Sequence, residues 1–213
     1  MVTLSIYFTL KNNRYLIHLI VDSNFLNDFL LSDIPEDFHS DLDQNIFCDC
    51  TFCGNNLLKG EVSYMIEKSF KVNPNNNKRN TVFEYAICMD CNTRKMKAMS
   101  AESVSNIQQY MADNFLLEGL NDHVDDESDP FAKCLVTGTP IDELEEYNIV
   151  GHFIGNKMIS GQFPILISPS IGEEIQELLS QQTKDEFDDF MSTITNVPPE
   201  LKALFKTKRP VFV

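Results

Sequence analysis

The chain opens on two apolar runs, residues 3–10 and 15–21, rich in Ile, Leu, Tyr, Phe and Thr. A polar break, Lys11-Asn12-Asn13-Arg14, separates them. Short β-prone runs around an Asn-rich break predict a β-hairpin. Residues 24–31 predict a short helix. Residues 32–45, SDIPEDFHSDLDQN, read as an acidic loop or linker. The stretch from Val62 to Val72 alternates well enough for a strand, and Thr81 to Cys88 reads as its return strand. Between them NPNNNKRN, residues 73–80, is a polar turn. A helix is expected from Ser100, a suitable N-cap, with Glu102 in its first turn. Val104, Ile107, Tyr110 or Met111, and Leu117 follow at helical spacing.

Residues 118–132, EGLNDHVDDESDPFA, carry the composition of an acidic linker. Beyond it, Tyr147–Ile154 and Phe163–Ser168 predict two more strands. Ser170-Ile171-Gly172-Glu173 has the form of a capping box. The helix behind it would place Ile175, Leu178, Leu179, Phe187 and Phe190 or Met191 on one side. The pattern therefore divides the chain into an N-terminal hairpin and linker region (1–47), a first unit (48–117), the acidic linker (118–132) and a second unit (133–213). The fold class expected is α+β.

Cysteine spacing adds chemistry to the first unit. Four of the six cysteines fall in two C-x-x-C pairs, Cys50/Cys53 and Cys88/Cys91. Such a pair turns two sulfurs toward one ion, and four thiolates make a closed tetrahedral shell suited to a single structural zinc. The residues after each pair are Gly54 and Asn92, the types that best tolerate positive φ, so a tight knuckle is expected at both. A thioredoxin-like redox pair would use one C-x-x-C at a helix start and fits two pairs poorly. A four-thiolate iron site uses the same ligands and stays open as an alternative. Cys48, two residues before Cys50, reads as a spare thiol.

Over residues 48–117 the cysteine pattern resembles zinc-ribbon and treble-clef modules. That resemblance implies a fold element and no activity. The second unit looks like a degenerate copy of the first. Cys134-x-x-Thr137-Gly138 matches Cys50-x-x-Cys53-Gly54, Tyr147 matches Tyr64, and FPILIS ending at Ser168 matches FEYAIC ending at Cys88. The helix carrying Ile175-Gln176 is then set against the one carrying Ile107-Gln108. On this matching the second copy keeps one ligand of four and holds no zinc. The competing account is chance likeness between two strand–strand–helix units.

Charge narrows the partners. The formal net charge is −15. Residues 48–117 hold eight Lys/Arg against seven Asp/Glu, a net +1. Residues 1–47 hold two against seven, and residues 118–213 seven against eighteen, giving −5 and −11. Nucleic-acid affinity is largely cationic, so the overall field argues against a general DNA- or RNA-binding protein. Neither N-terminal apolar run reaches the ~20 residues of a membrane span. No basic n-region or cleavage site is visible, so thiolate metal binding in a reducing cytoplasm is the expected setting.

No catalytic constellation emerges. His18, His39, His123 and His152 are scattered, and no His-Asn-His nuclease arrangement is present. The carboxylate pairs Asp125-Asp126, Glu145-Glu146, Glu173-Glu174 and Asp188-Asp189 read as solvated faces. No P-loop or dinucleotide fingerprint occurs. The expectation is a non-enzymatic, zinc-binding protein-interaction module whose acidic surface suits a basic partner. The alternative is a nucleic-acid accessory factor using Lys78, Arg79, Arg94, Lys95 and Lys97.

Overall fold

The computed structural model describes residues 2–10, 13–21, 31–60, 62–114, 129–160, 163–193 and 199–207. The expected helix at 24–31, apart from Leu31, and most of the acidic linker fall outside these residues.

Strands β1 (Val2–Leu10) and β2 (Asn13–Val21) pair antiparallel in register from Val2↔Val21 to Leu10↔Asn13, the expected hairpin. They form a sheet of their own. A second sheet contains β3 (Leu31–Asp33), β4 (Ser63–Val72), β5 (Arg79–Cys88), β6 (Glu146–Ile154), β7 (Lys157–Ile159) and β8 (Ile165–Ile167). Its order is β3-β7-β6-β4-β5, with β8 also pairing β6. The β4–β5 turn works as its asparagines predict. Asn77 takes a φ of 53°, and the Asn73 and Asn76 side chains accept the Asn75 and Lys78 N–H groups at 2.9 and 3.0 Å.

Strands from the two sequence units lie side by side. β4 runs antiparallel to β6 from Ser63↔Ile154 to Lys71↔Glu146, with Glu67↔Val150 at the centre. Seven consecutive residues of β4, Tyr64–Phe70, are buried, so both faces of the strand are covered. One face carries Tyr64, Ile66, Lys68 and Phe70 and the other Met65, Glu67 and Ser69. Tyr64 stacks on Phe153 and Phe70 leans on Tyr147, each with ring centroids 5.4 Å apart. Burial of a charge is tolerable only with partners. The Lys68 ammonium has them in His39 O (2.5 Å), Asp41 (2.8 Å) and Glu84 (3.1 Å).

Those partners correct the reading of residues 32–45. The stretch is a strap across the sheet rather than a solvated linker. Its first residues form β3 against β7. A 3-10 turn at Glu36–Phe38 then inserts Phe38, fully buried, edge-on to Phe153 at 5.1 Å. Gly151 makes the room: a Cβ there would stand 2.8 Å from the Phe38 ring.

The helices depart from expectation in several places. Helix α1 (Met89–Lys97) begins directly at the end of β5, ahead of the expected α2 (Ala101–Asn114), which Ser100 caps through the Ser103 N–H at 3.1 Å. The long helix expected after Ser170 is two helices, α3 (Pro169–Glu177) and α4 (Gln181–Thr193). Its N-cap is Ser168, ahead of Pro169, and makes no side-chain cap bond, so the capping box at Ser170 does not form. Ser180 causes the break. Its N–H goes across to Ser103 Oγ at 2.8 Å, and its own Oγ caps the next helix through the Thr183 N–H at 3.2 Å. A last helix, α5, spans Pro199–Thr207.

Ser100, Ser103, Ser180 and Thr183 thereby form a closed hydroxyl cluster between the two helix pairs. Ser100 Oγ meets Ser180 Oγ at 2.8 Å, Ser103 Oγ meets Thr183 Oγ1 at 2.8 Å, and the Ser100 N–H reaches Thr183 Oγ1 at 2.9 Å. Met99, Leu179 and Phe187 pack as a small apolar core nearby. The fold is thus a mixture of helices and antiparallel sheet. Among the described residues no helix is long and apolar enough to cross a membrane.

Candidate metal centre

The four predicted ligands come from two different kinds of backbone. Cys50 and Cys53 sit on a tight loop ahead of β4. The Cys50 N–H bonds Asn55 O, and the Gly54 N–H bonds Cys50 O, both at 2.8 Å. Gly54 has a φ of 71°, so the knuckle needs glycine there as expected. The loop is pinned to β5 where the Thr51 N–H reaches Ala86 O at 2.9 Å. Cys88 and Cys91 sit instead at a helix start. Cys88 is the extended N-cap of α1 and Cys91 lies in its first turn. Asn92 is helical, which corrects the expectation of a second positive-φ knuckle.

These elements bring the four sulfurs within 4.8 Å of one another. Cys53 Sγ and Cys88 Sγ are 3.8 Å apart. Zinc–thiolate bonds of about 2.3 Å in a tetrahedron give a sulfur–sulfur edge near 3.8 Å, so the spacing suits one ion. It is far beyond the ~2.05 Å of a disulfide. Cys50, Cys88 and Cys91 are buried and Cys53 is partly covered. Cys48 is exposed and stands apart, its thiol directed at Ile46 O.

The surroundings favour a cation. Burial pushes the Cys50 and Cys91 thiols up, so their thiolates need a positive partner. Burial also works on Cys53, but hydrogen bonds, the Asn55 N–H foremost, outweigh it and hold that thiol down. The Cys88 N–H donates to Cys50 Sγ at 3.4 Å, and Arg94 donates to Cys91 Sγ at 2.8 Å. Four thiolates and a divalent ion carry a net −2, which one guanidinium partly offsets. Sequence reasoning assigned Arg94 to a basic patch. Its position three residues after Cys91, one helical turn on, was the signal for this role.

The other basic candidates disperse. Arg79 pairs with Asp37 at 2.5 Å and lies over the Phe70 ring at 4.8 Å. Lys95 is buried, and burial pulls its pKa down to about 8 against the charge of Glu67. Glu67, at the centre of β4, accepts the Tyr85 hydroxyl and, at 3.0 Å, the Asn148 amide. Lys78 and Lys97 are exposed. Among the histidines, His152 is half-buried and bonded to Ser63 Oγ at 2.7 Å, and burial holds its pKa down. The His39 carbonyl serves Lys68, as above. The side chains of His18 and His123 lie outside the described residues.

Cys134 lies on a second tight loop, described by the same kinds of contact. Its N–H bonds Thr139 O at 2.8 Å, and the Gly138 N–H returns to Cys134 O at 2.9 Å with φ 68° at Gly138. The Leu135 N–H reaches Leu166 O at 2.9 Å, and the Ser168 N–H reaches Cys134 Sγ at 3.3 Å. The arrangement that can do chemistry in the described residues is therefore a four-cysteine centre able to hold one metal ion. Compared with models of known families, with curated proteins and with solved structures, the chain matches none.

Proposed function

We propose that this chain is a zinc-organised protein-interaction module whose acidic surface receives a basic partner. The convergence of the four cysteine sulfurs carries the reading. A closed four-thiolate shell keeps no position for water or substrate, so it organises structure rather than reacts. Joining a loop ahead of the hairpin to the helix behind it ties three elements at one point. That layout, one knuckle and one helix start, favours the treble-clef side of the resemblance over a two-knuckle ribbon.

Two units support this reading better than one. Sliding β4 along the chain until Ser63 falls on Glu146 carries it onto β6, and the β4–β6 register maps onto itself: Ser63↔Ile154 becomes Glu146↔Lys71. The β4–β5 pair Glu67↔Tyr85 becomes Val150↔Ile165, a pair of β6 and β8. The helices correspond at one constant offset, α1 with α3 and α2 with α4, so that Met89 falls on Pro169 and Ala101 on Gln181. This replaces the Ile107/Ile175 matching drawn from sequence. In the hydroxyl cluster Ser100 and Ser103 exchange with Ser180 and Thr183, and its contacts map onto each other. We read the chain as two such units related by a pseudo-twofold axis through Glu67 and Val150, the second without metal.

The partner half rests on charge. The exposed faces of α3 and α4 include Glu173, Glu177, Asp185 and Glu186, with Lys184 the one basic residue of both helices. The nucleic-acid alternative is weakened because Arg79, Arg94 and Lys95 are engaged within the fold. The test is calorimetric titration of the zinc-loaded protein with a Lys/Arg-rich peptide and, separately, with duplex DNA. Peptide binding that weakens with salt and is lost on reversing Glu173, Glu177, Asp185 and Glu186 to Lys is expected. Tighter DNA binding, abolished by Lys78→Glu with Lys97→Glu, would overturn it.

A further inference from the structure

We propose that Cys134, Thr137, Ser168 and Ile171 stand at the four ligand positions of a former metal site, and that cysteine at the last three rebuilds a second tetrahedral thiolate centre. The inference deepens the two-unit reading above and rests on it.

Position by position, the backbone around these residues keeps what a metal needs. Cys134 repeats the donor and acceptor bonds of Cys50, at 2.8 and 2.9 Å against 2.8 and 2.8 Å. Gly138 keeps the left-handed φ of Gly54, 68° against 71°. Thr137 stands where the knuckle presents Cys53. Ser168 occupies the helix N-cap, as Cys88 does, with φ and ψ of −71° and 150° against −67° and 152°. Its N–H reaches the Cys134 sulfur at 3.3 Å, as the Cys88 N–H reaches the Cys50 sulfur at 3.4 Å. Ile171 is the third residue of its helix, as Cys91 is of its own, and it is buried.

What changed is the filling. Where the first unit directs a fourth thiolate inward, the second buries an isoleucine. Thr→Cys and Ser→Cys change volume little, and Ile→Cys removes atoms at the place a cation would need. The outer surroundings changed as well. At the position of Arg94 stands Glu174, whose carboxylate accepts the Tyr110 hydroxyl at 2.8 Å. An acid beside four thiolates adds charge where the first unit offsets it. The rebuilt centre is therefore expected to hold metal more weakly than the first. Glu174→Arg should tighten it by about tenfold, the usual weight of an outer-sphere partner.

The experiment uses the full chain carrying Thr137→Cys, Ser168→Cys and Ile171→Cys together. Native mass spectrometry counts zinc, and cobalt(II) absorption reports tetrahedral thiolate ligation. Two ions per chain are expected, the second released first by a chelator and retained longer when Glu174→Arg is added. One ion per chain in a folded triple variant overturns the inference. If the triple variant does not fold, Thr137→Cys with Ser168→Cys and Ile171→Ala decides, since three thiolates and the space the isoleucine vacates should still capture one additional, weaker cobalt ion. Its absence from that folded variant overturns the inference equally. The first centre is the internal control. A chain that holds no ion in any form refutes the metal centre of the proposed function, whereas one ion in every form refutes the former site alone.

Discussion

Removing one hydroxyl from the Ser100/Ser103/Ser180/Thr183 cluster should cost far more than a surface serine is worth. Ser103 is fully buried. Its Oγ accepts the Ser180 N–H at 2.8 Å and contacts Thr183 Oγ1 at 2.8 Å and Ser180 Oγ at 3.2 Å. Ser103→Ala deletes these and leaves the Ser180 N–H without its acceptor at the break between α3 and α4. An orphaned buried donor costs about 1–3 kcal/mol. Thr183 holds the mirror position, accepting the Ser100 N–H at 2.9 Å, and is also fully buried. Thr183→Val should therefore cost a similar amount, and the two singles share the Ser103–Thr183 bond. The double variant should then fall short of the sum by about 0.5–1.5 kcal/mol, the weight of one hydrogen bond. Urea unfolding of the zinc-loaded protein, with unchanged m-values, measures all four corners of the cycle. Single costs below about 0.3 kcal/mol, or strict additivity, would refute the claim that this cluster locks the two helix pairs together.

Three further outcomes test other parts of the structure. Cys53→Ser should abolish stoichiometric zinc in native mass spectrometry and lower the melting temperature, because structural zinc binding is folding free energy; full zinc retention would show that the cluster is not the site. Gly151→Ala should destabilise by about 1–3 kcal/mol through overpacking, since the new Cβ falls 2.5 Å from the Phe153 ring and 2.8 Å from that of Phe38; an unchanged urea midpoint would mean that the strap carrying Phe38 does not pack as described. For Lys95, whose folded pKa is pulled down to about 8 from 10.5, the unfolded chain binds the extra proton between those values. Stability should rise with pH across that window, a slope lost in Lys95→Met. Urea midpoints from pH 7 to just below 10 read it, under the range where Tyr85, held well above its usual 10 by burial and Glu67, begins to count; equal slopes in the two proteins would refute the assignment.

The sequence announced what is encoded locally and hid what is settled at long range. C-x-x-C followed by Gly54, the Asn-rich turn and the N-cap Ser100 were all readable because each depends on a few adjacent residues. Helix α1 was not. Its sequence, MDCNTRKMK, has no apolar stripe, because it is anchored at its start by two cysteines and buries Asn92 and Lys95 instead of leucines. Glu67 and Lys68 gave no sign that β4 lies at the centre of the sheet; their partners, Tyr85, Asn148, Asp41 and Glu84, are far away along the chain. The strap at 31–45 looked solvated because its acids are what bind Lys68 and Arg79. The break at Ser180 depends on Ser103, 77 residues away along the chain, and no local pattern signals it.

On the two-unit reading, the interiors of the two halves differ at positions that bear on their need for a metal. Glu67, Tyr85, Cys91 and Lys95 of the first unit correspond to Val150, Ile165, Ile171 and Ile175 of the second, all buried. Each aliphatic side chain placed inside contributes about 1.5–3 kcal/mol of burial. At two of the four positions Val150 and Ile175 thus supply several kcal/mol where desolvation of Glu67 and Lys95 works against folding, while Tyr85 and Cys91 are core side chains like their counterparts. A structural zinc contributes on the order of 10 kcal/mol in small modules. On this reading the first unit, with Glu67 and Lys95 inside, would draw on that contribution, whereas the second has aliphatic side chains at the same two places. The contacts of β4 with β6 and the hydroxyl cluster would then be what holds the two halves together.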